Sequence, residues 1–238
     1  MSKFTDIRDQ IPRWAWFVGA LAIAVALLVY LLFEVDDSNV KLLGLLGGVA
    51  SGIIVYLITF LSVLGPLQRV DHFDRLGVID LLENRHDKEY YRKIVMNCRE
   101  RVDVMGASCT RFVEDFLDLE SENKVLVDAL DKHRRLTVRF LIPTDDFMSQ
   151  STRNRIGDLM PKFTELKKKY ADRVQLGRFE SEAAHSFVLA DDHLIAGPIF
   201  AREKSKYAPA VHVAASTPFA RKYAEHFEDV WDAATIKV

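Results

Sequence analysis

Two long runs without a charged residue dominate the hydrophobic pattern of the first third of the chain. Trp14–Phe33 (WAWFVGALAIAVALLVYLLF) and Leu42–Leu64 (LLGLLGGVASGIIVYLITFLSVL) each reach roughly 30 Å as a helix, the thickness of a bilayer's hydrocarbon core. Neither shows the polar face of a helix that lies on a soluble core, so both are expected to span a membrane. The first run is too long for the apolar part of a cleaved signal peptide, and EVDDSN follows it in place of a small-residue cleavage site. The pattern divides the chain into a tail (1–13), a first span (14–33), an external loop (34–41), a second span (42–64), a connector (65–88) and a domain (89–238). The connector opens on GPLQ, a break, and continues as a charged segment to Gly77.

Beyond the connector the periodicity alternates between helix and strand. Asp87–Glu100 reads as a helix and RVDVMGAS as a buried strand. Phe112–Leu119 and Lys124–His133 carry helical spacing, and LTVRFLIP is a second strand. Ser151 suits the N-cap of a long amphipathic helix towards Arg173, with Pro161 as a kink or break. VQLGRFE, HSFVLAD, HLIAGPIF and VHVAAS follow as strands, with Asp191 and Asp192 suited to a tight hairpin turn. Thr217 caps a last helix with Pro218 at its first position, ending in FEDVWDAA. The order β-α-β-α-β-β-β-β-α predicts an α/β domain with a mixed sheet flanked by helices. No internal repeat or low-complexity segment interrupts it.

Charge sets the expected topology. Lys3, Arg8 and Arg13 precede the first run, the loop between the runs holds three acids and Lys41, and Arg69, Arg75 and Arg85 follow the second. Both termini are therefore expected in the cytoplasm. Trp14, Trp16 and Tyr30 stand where interfacial aromatics belong. A net charge of −2 over 238 residues provides no bulk attraction to nucleic acid. Cys98 and Cys109 fall on the cytoplasmic side at a spacing that matches no zinc signature, so neither a structural disulfide nor a metal is expected.

The second run has a face of its own. Gly44, Gly48 and Gly52 recur every four residues, and Val55, Thr59 and Ser62 continue the stripe, with Ser51 beside it. Such small faces let helix backbones approach closely. Packing against the first span and self-association around a pathway both fit this stripe, while the opposite Leu, Ile and Phe face suits lipid. Neither run holds Asp, Glu, Lys, Arg or His, which argues against a proton or ion transporter with a midplane site.

In HSFVLADD, His185 and Asp192 are followed by Gly197, and the chain closes on Phe227 and Trp231. With the strands VMGAS and LTVRFLIP, this order resembles one half of a phospholipase D superfamily fold, whose motif is H-x-K-x-x-x-x-D, over roughly 89–234. That family uses two histidines, one as nucleophile on phosphorus and one as acid, with lysines neutralising the phosphoryl oxygens. Here one motif copy exists, Phe187 replaces the lysine, and GPIF stands where G-S-x-N is usual. A homodimer would supply a second histidine but no lysine. The resemblance therefore implies a degenerate site (His185, Phe187, Asp192) without catalysis or cofactor. A ligand is expected at His185, Ser108, Thr110, Arg111, Lys204 and Lys206, with Arg202 nearby. The plan also resembles two-span membrane effectors of bacterial antiphage defence. It implies an inner-membrane homo-oligomer with a nucleotide or protein partner at its cytoplasmic domain. A tethered phosphodiesterase and a membrane scaffold are the alternatives.

Overall fold

The computed structural model describes residues 13–34, 40–120, 124–200 and 204–236, the side chains of 13–18, 32–34, 40–43, 64–69, 71 and 236 excepted. The expectations for Lys3 and Arg8, for most of the loop between the runs and for Arg202 lie outside the described residues, as do those for the side chains of Trp14, Trp16 and Arg69. The chain divides into two compact units between His72 and Phe73.

The first unit is helical. Helix α1 covers Arg13–Glu34 and α2 begins at Val40. Among the described residues one stretch, Gly44–Val63, is long and apolar enough to cross a membrane, while the described apolar part of α1, Gly19–Leu31, is shorter. On α2, Leu46, Ala50, Ile53, Leu57 and Phe60 form the covered face. On α1 the covered stripe is Leu21, Ala24, Val25 and Leu28. The glycines are on the open side: a Cβ built at Gly44, Gly48 or Gly52 meets nothing within 4 Å. The face expected to suit lipid is thus the one partly covered within this chain.

The break expected at Gly65 does not occur. Helix α2 runs on through Gly65 and Pro66 to Arg75, because a proline removes one helix bond without forcing the chain to stop. The expected connector also contains a strand, β1 (Val78–Leu82). Between α2 and β1, Gly77 has φ +66, and a Cβ there would come within 2.3 Å of Thr217 Cγ2, so a residue without a side chain is needed.

The second unit is built on one eight-stranded mixed sheet ordered β1-β7-β6-β5-β2-β3-β4-β8. The remaining strands are β2 (Arg101–Met105), β3 (Thr137–Pro143), β4 (Val174–Phe179), β5 (His185–Ala190), β6 (His193–Pro198), β7 (Ala210–Ala214) and β8 (Thr235–Ile236). β2, β3 and β4 pair in parallel and the other neighbours are antiparallel. The helices are α3 (Lys88–Val95), α4 (Thr110–Phe116), α5 (Val125–Lys132), α6 (Gln150–Tyr170) and α7 (Pro218–Ala233). The mixed sheet stands as expected, with β1 and β8 added at its two edges.

Alternation along the strands makes two cores. Val102, Val104, Val138, Phe140, Leu176 and Val188 pack with the apolar faces of α4, α5 and α6. Met105, Leu141, Phe187, Leu189 and Val213 pack with Phe227 and Trp231 of α7. On that second face Asp103 is fully buried. Arg139 meets it with Nε and Nη2 at 2.8 and 3.0 Å and reaches Glu228 of α7 at 2.7 Å. The Arg139 guanidinium also lies 4.9 and 5.0 Å from the Phe227 and Trp231 ring centres. The F-x-x-x-W spacing near the C-terminus thus builds an aromatic seat for a half-buried cation.

Local ends differ from expectation in instructive ways. The N-cap of α6 is Ser149, whose hydroxyl accepts from the Thr152 amide, and not Ser151. Pro161 sits within α6 without ending it. Helix α3 stops at Val95 instead of Glu100. Thr217 does cap α7, accepting from the Ala220 amide, with Pro218 as its first residue.

Candidate functional site

β5 and β6 form a hairpin in which Ala190 opposes His193, leaving Asp191 and Asp192 as a two-residue turn. Asp191 takes φ 43, a conformation that Asp tolerates better than most residues. Its carboxylate accepts from the backbone amides of Arg99, Glu100 and Arg101 at 2.7, 3.2 and 2.8 Å. The neighbouring Asp192 is exposed, and its carbonyl accepts from the Ala215 amide. The turn aspartates therefore anchor the hairpin to the start of β2, at the far end of β5 from His185.

His185 opens β5 on the α7 face. Its ring lies 5.7 Å from Phe187, 5.4 Å from Tyr223 and 5.1 Å from His226. Nε2 is buried and has no hydrogen-bond partner among the described residues. Burial, with a smaller contribution from His226, holds this imidazole below its ordinary pKa, so it is neutral near pH 7. Phe187 is 1% exposed and packs edge-on against Tyr223 and Phe227 at 5.2 and 6.1 Å. A hollow of about 610 Å³ opens beside His185, lined by Glu83, Tyr223 and mostly apolar residues, including Leu81, Pro198, Pro209 and Val211. Gly197 lies in this wall because a Cβ there would sit 2.3 Å from the Pro209 carbonyl oxygen.

The other expected ligand residues fall at the same end of the hairpin but apart from that hollow. Ser108 and Thr110 share a hydrogen bond of 3.1 Å, and Thr110 is buried, so its hydroxyl is not presented to a ligand, whereas Ser108 is half-buried. Arg111 is tied to Asp115 at 3.2 Å and to His86, whose carbonyl accepts at 2.8 Å. Lys204 and Lys206 flank Tyr207, with Lys206 Nζ 4.6 Å from that ring centre. Lys206, Lys204 and Arg111 together hold the Tyr207 hydroxyl below its ordinary pKa. The structure thus brings Arg111, Lys204 and Lys206 into one basic patch and leaves His185 in a separate, apolar setting.

As site residues, Arg85 and His86 have no signal in the sequence. The Arg85 guanidinium donates to the carbonyls of Ser186, Gly197 and Pro198 at 3.3, 3.5 and 2.6 Å. Those contacts cross more than a hundred residues and leave no local signature. A second group also emerges only in three dimensions. His193 Nδ1 lies 3.0 Å from His212 Nε2, and His212 Nδ1 lies 2.7 Å from the Tyr90 hydroxyl, with the Asp80 carboxylate acting on both Tyr90 and His212. Burial and the neighbouring His193 push His212 down to about 4, and burial pushes Tyr90 up to about 12. Neutral His212 donates through one ring nitrogen and accepts through the other, so His193, His212 and Tyr90 form one hydrogen-bonded chain.

Among the described residues no group of three His, Cys, Asp or Glu side chains is placed to hold a metal ion. Cys98 and Cys109 are free thiols, each pushed up to about 12 by burial. No protein-family model matches the sequence, and comparison with curated proteins finds no match. Among solved structures, the chain is similar to the archaeal chromatin protein TrmBL2 at 11% identity and a TM-score of 0.47, covering 85% of this chain and 72% of that one. It is similar to Nuc from Salmonella typhimurium, a phospholipase D family member, at 13% and 0.38, covering 63% of this chain and 90% of that one. For NucT from Helicobacter pylori the values are 13% and 0.42, covering 66% and 96%. These are similarities of arrangement, and they assign no activity to this chain.

Proposed function

We propose that the protein is a membrane-anchored, self-associating effector whose phospholipase D-like domain no longer catalyses and instead senses a ligand. The observation that carries this reading is Phe187, fully packed into the α7 core at the motif position where phosphoryl chemistry needs a cation. A phenyl ring offers no donor to an oxyanion, and loss of one such donor costs roughly 3–4 kcal/mol of transition-state stabilisation. Anchoring is supported by Gly44–Val63, and with α1 as a second span both termini would lie inside a bacterial inner membrane. Self-association, and with it membrane disruption of the kind used in antiphage defence, is supported by the open glycine face of α2. The hydroxyls of Ser51, Thr59 and Ser62 return to carbonyls of their own helix at 3.0, 2.9 and 2.7 Å. These hydroxyls therefore suit a packed seam better than a wet pathway.

Purified full-length protein incubated with bis(p-nitrophenyl) phosphate should release no nitrophenolate. Turnover that disappears in His185→Ala would overturn the proposal. It would support a tethered phosphodiesterase, a reading favoured by one feature, the neutral His185 with its unpartnered Nε2.

A further inference from the structure

Arg85 is 9% exposed, and among the described residues no carboxylate lies within ion-pair distance of it. Its Nη atoms reach backbone carbonyls, while Nε, buried, has no acceptor. A buried cation without an anion is strongly disfavoured, and burial holds the Arg85 pKa below its ordinary value. The same neighbourhood is rich in further positive charge. Arg111 binds the ring and carbonyl of His86, the next residue after Arg85, and Arg111 Nη1 is a second buried donor without an acceptor. The Arg85 amide donates to the Lys206 carbonyl at 2.9 Å, and His86 meets Tyr207 edge-on at 6.3 Å. The nearby carboxylate, Asp115, is shared between Arg111 and Lys88. Among the described residues Arg85, Arg111, Lys204 and Lys206 therefore outnumber the acid paired with them, and two guanidinium donors lack acceptors.

We infer that this patch is an anion site for a phosphoryl group, with Arg85 and Arg111 as its donors and Lys204 and Lys206 at its rim. The excess of cations favours a phosphoryl dianion over a singly charged carboxylate, and arginine's planar donors match tetrahedral oxyanions. The site deepens the sensing role proposed above and rests on it. It does not involve the hollow beside His185. The phosphoryl group would come from a free nucleotide or from a lipid headgroup at the anchoring membrane.

The test uses the full chain in neutral detergent, melted against inorganic phosphate at constant ionic strength set with chloride. Phosphate should raise the melting temperature with the logarithm of its concentration once above its Kd, and Arg111→Gln and Lys206→Gln should each weaken the apparent affinity, Arg111→Gln by about tenfold. Arg85→Gln should lose the phosphate response, and its melting temperature in chloride should also fall, since the Ser186, Gly197 and Pro198 carbonyls lose their donor. If Arg85→Gln does not fold, the other two variants decide. A phosphate response that is absent, or equal in wild type and the Arg111 and Lys206 variants, overturns the site. Adenosine monophosphate binding more tightly than phosphate would assign the source to nucleotides, and a response to micelles doped with phosphatidic acid would assign it to lipid. Both results uphold the site. Diester turnover measured on the same samples separates the two claims, because activity would sink the non-catalytic reading whatever phosphate does.

Discussion

Asp191 bears more structure than its place in a turn suggests. Its carboxylate accepts from three consecutive backbone amides at the entrance of β2, while its own backbone adopts a positive φ. Replacing it with alanine should cost about 1–3 kcal/mol, since the amides lose a charged acceptor and alanine tolerates that φ poorly. Denaturant unfolding of Asp191→Ala beside Asp192→Ala checks this, with the exposed Asp192 expected to change stability little. His212 makes a pH prediction. Its folded pKa lies near 4 against an ordinary 6.5, so below 6.5 the unfolded chain takes up a proton that the fold refuses. Stability should hold above pH 6.5 and fall as pH drops towards 4, by at most about 1.4 kcal/mol per pH unit from this residue. The groups facing it are Tyr90, His193 and Asp80. His212→Gln should flatten that slope, as read from urea midpoints at pH 7 and pH 5.

At the scale of elements, the α7 face depends on one ion network. Asp103, Arg139, Glu228 and Arg101 join β2, β3 and α7 through contacts of 2.7 to 3.0 Å. Asp103 is completely buried, and burial pushes its carboxyl above the usual range even with Arg139 against it. Arg139→Ala should therefore destabilise the domain by about 3 kcal/mol, because the buried Asp103 carboxylate loses both Arg139 hydrogen bonds and keeps only the half-exposed Arg101. Glu228→Gln, at the half-exposed end of the network, should cost far less. Chemical denaturation of both variants would reveal the order, and equal losses would refute the ranking. None of this was visible in the F-x-x-x-W spacing alone. That spacing marked the end of a helix and two inward aromatics, but Arg139 lies about ninety residues away in sequence.

For the molecule as a whole, the glycine face of α2 is the feature that separates an anchor from an assembling effector. Leu46, Ala50, Ile53, Leu57 and Phe60 are covered, whereas Gly44, Gly48 and Gly52 open onto empty space. Gly48→Leu should lower the oligomer order in detergent, because the added side chain blocks a close backbone approach. Ile54→Leu, an exposed change of equal volume, should leave it unchanged. Sedimentation of both variants distinguishes these outcomes. If Gly48→Leu assembles as wild type does, the face is not the seam and the proposed membrane assembly loses its support.

The reach of the sequence follows from the range of the forces involved. Periodicity is local, so the two apolar runs, the central strands of the sheet, the Asp191–Asp192 turn and the Thr217 cap are legible in the sequence. β1 was not, since VIDLL is a short edge strand with a bulge, three of its five residues are exposed, and its partner β7 lies far along the chain. β8, two residues long, pairs only because α7 returns it to β4. The continuation of α2 past Pro66 was missed because a proline weakens a helix without deciding where it ends. For the site, the departure at Phe187 was plain in the motif, and Arg111, Lys204 and Lys206 were singled out from local loops. That Thr110 is buried, that Arg85 lies against the carbonyls of the histidine hairpin, and that His193, His212 and Tyr90 form one chain were decided only by folding. Each depends on pairs that no periodicity links, brought together by the order of the strands in one sheet.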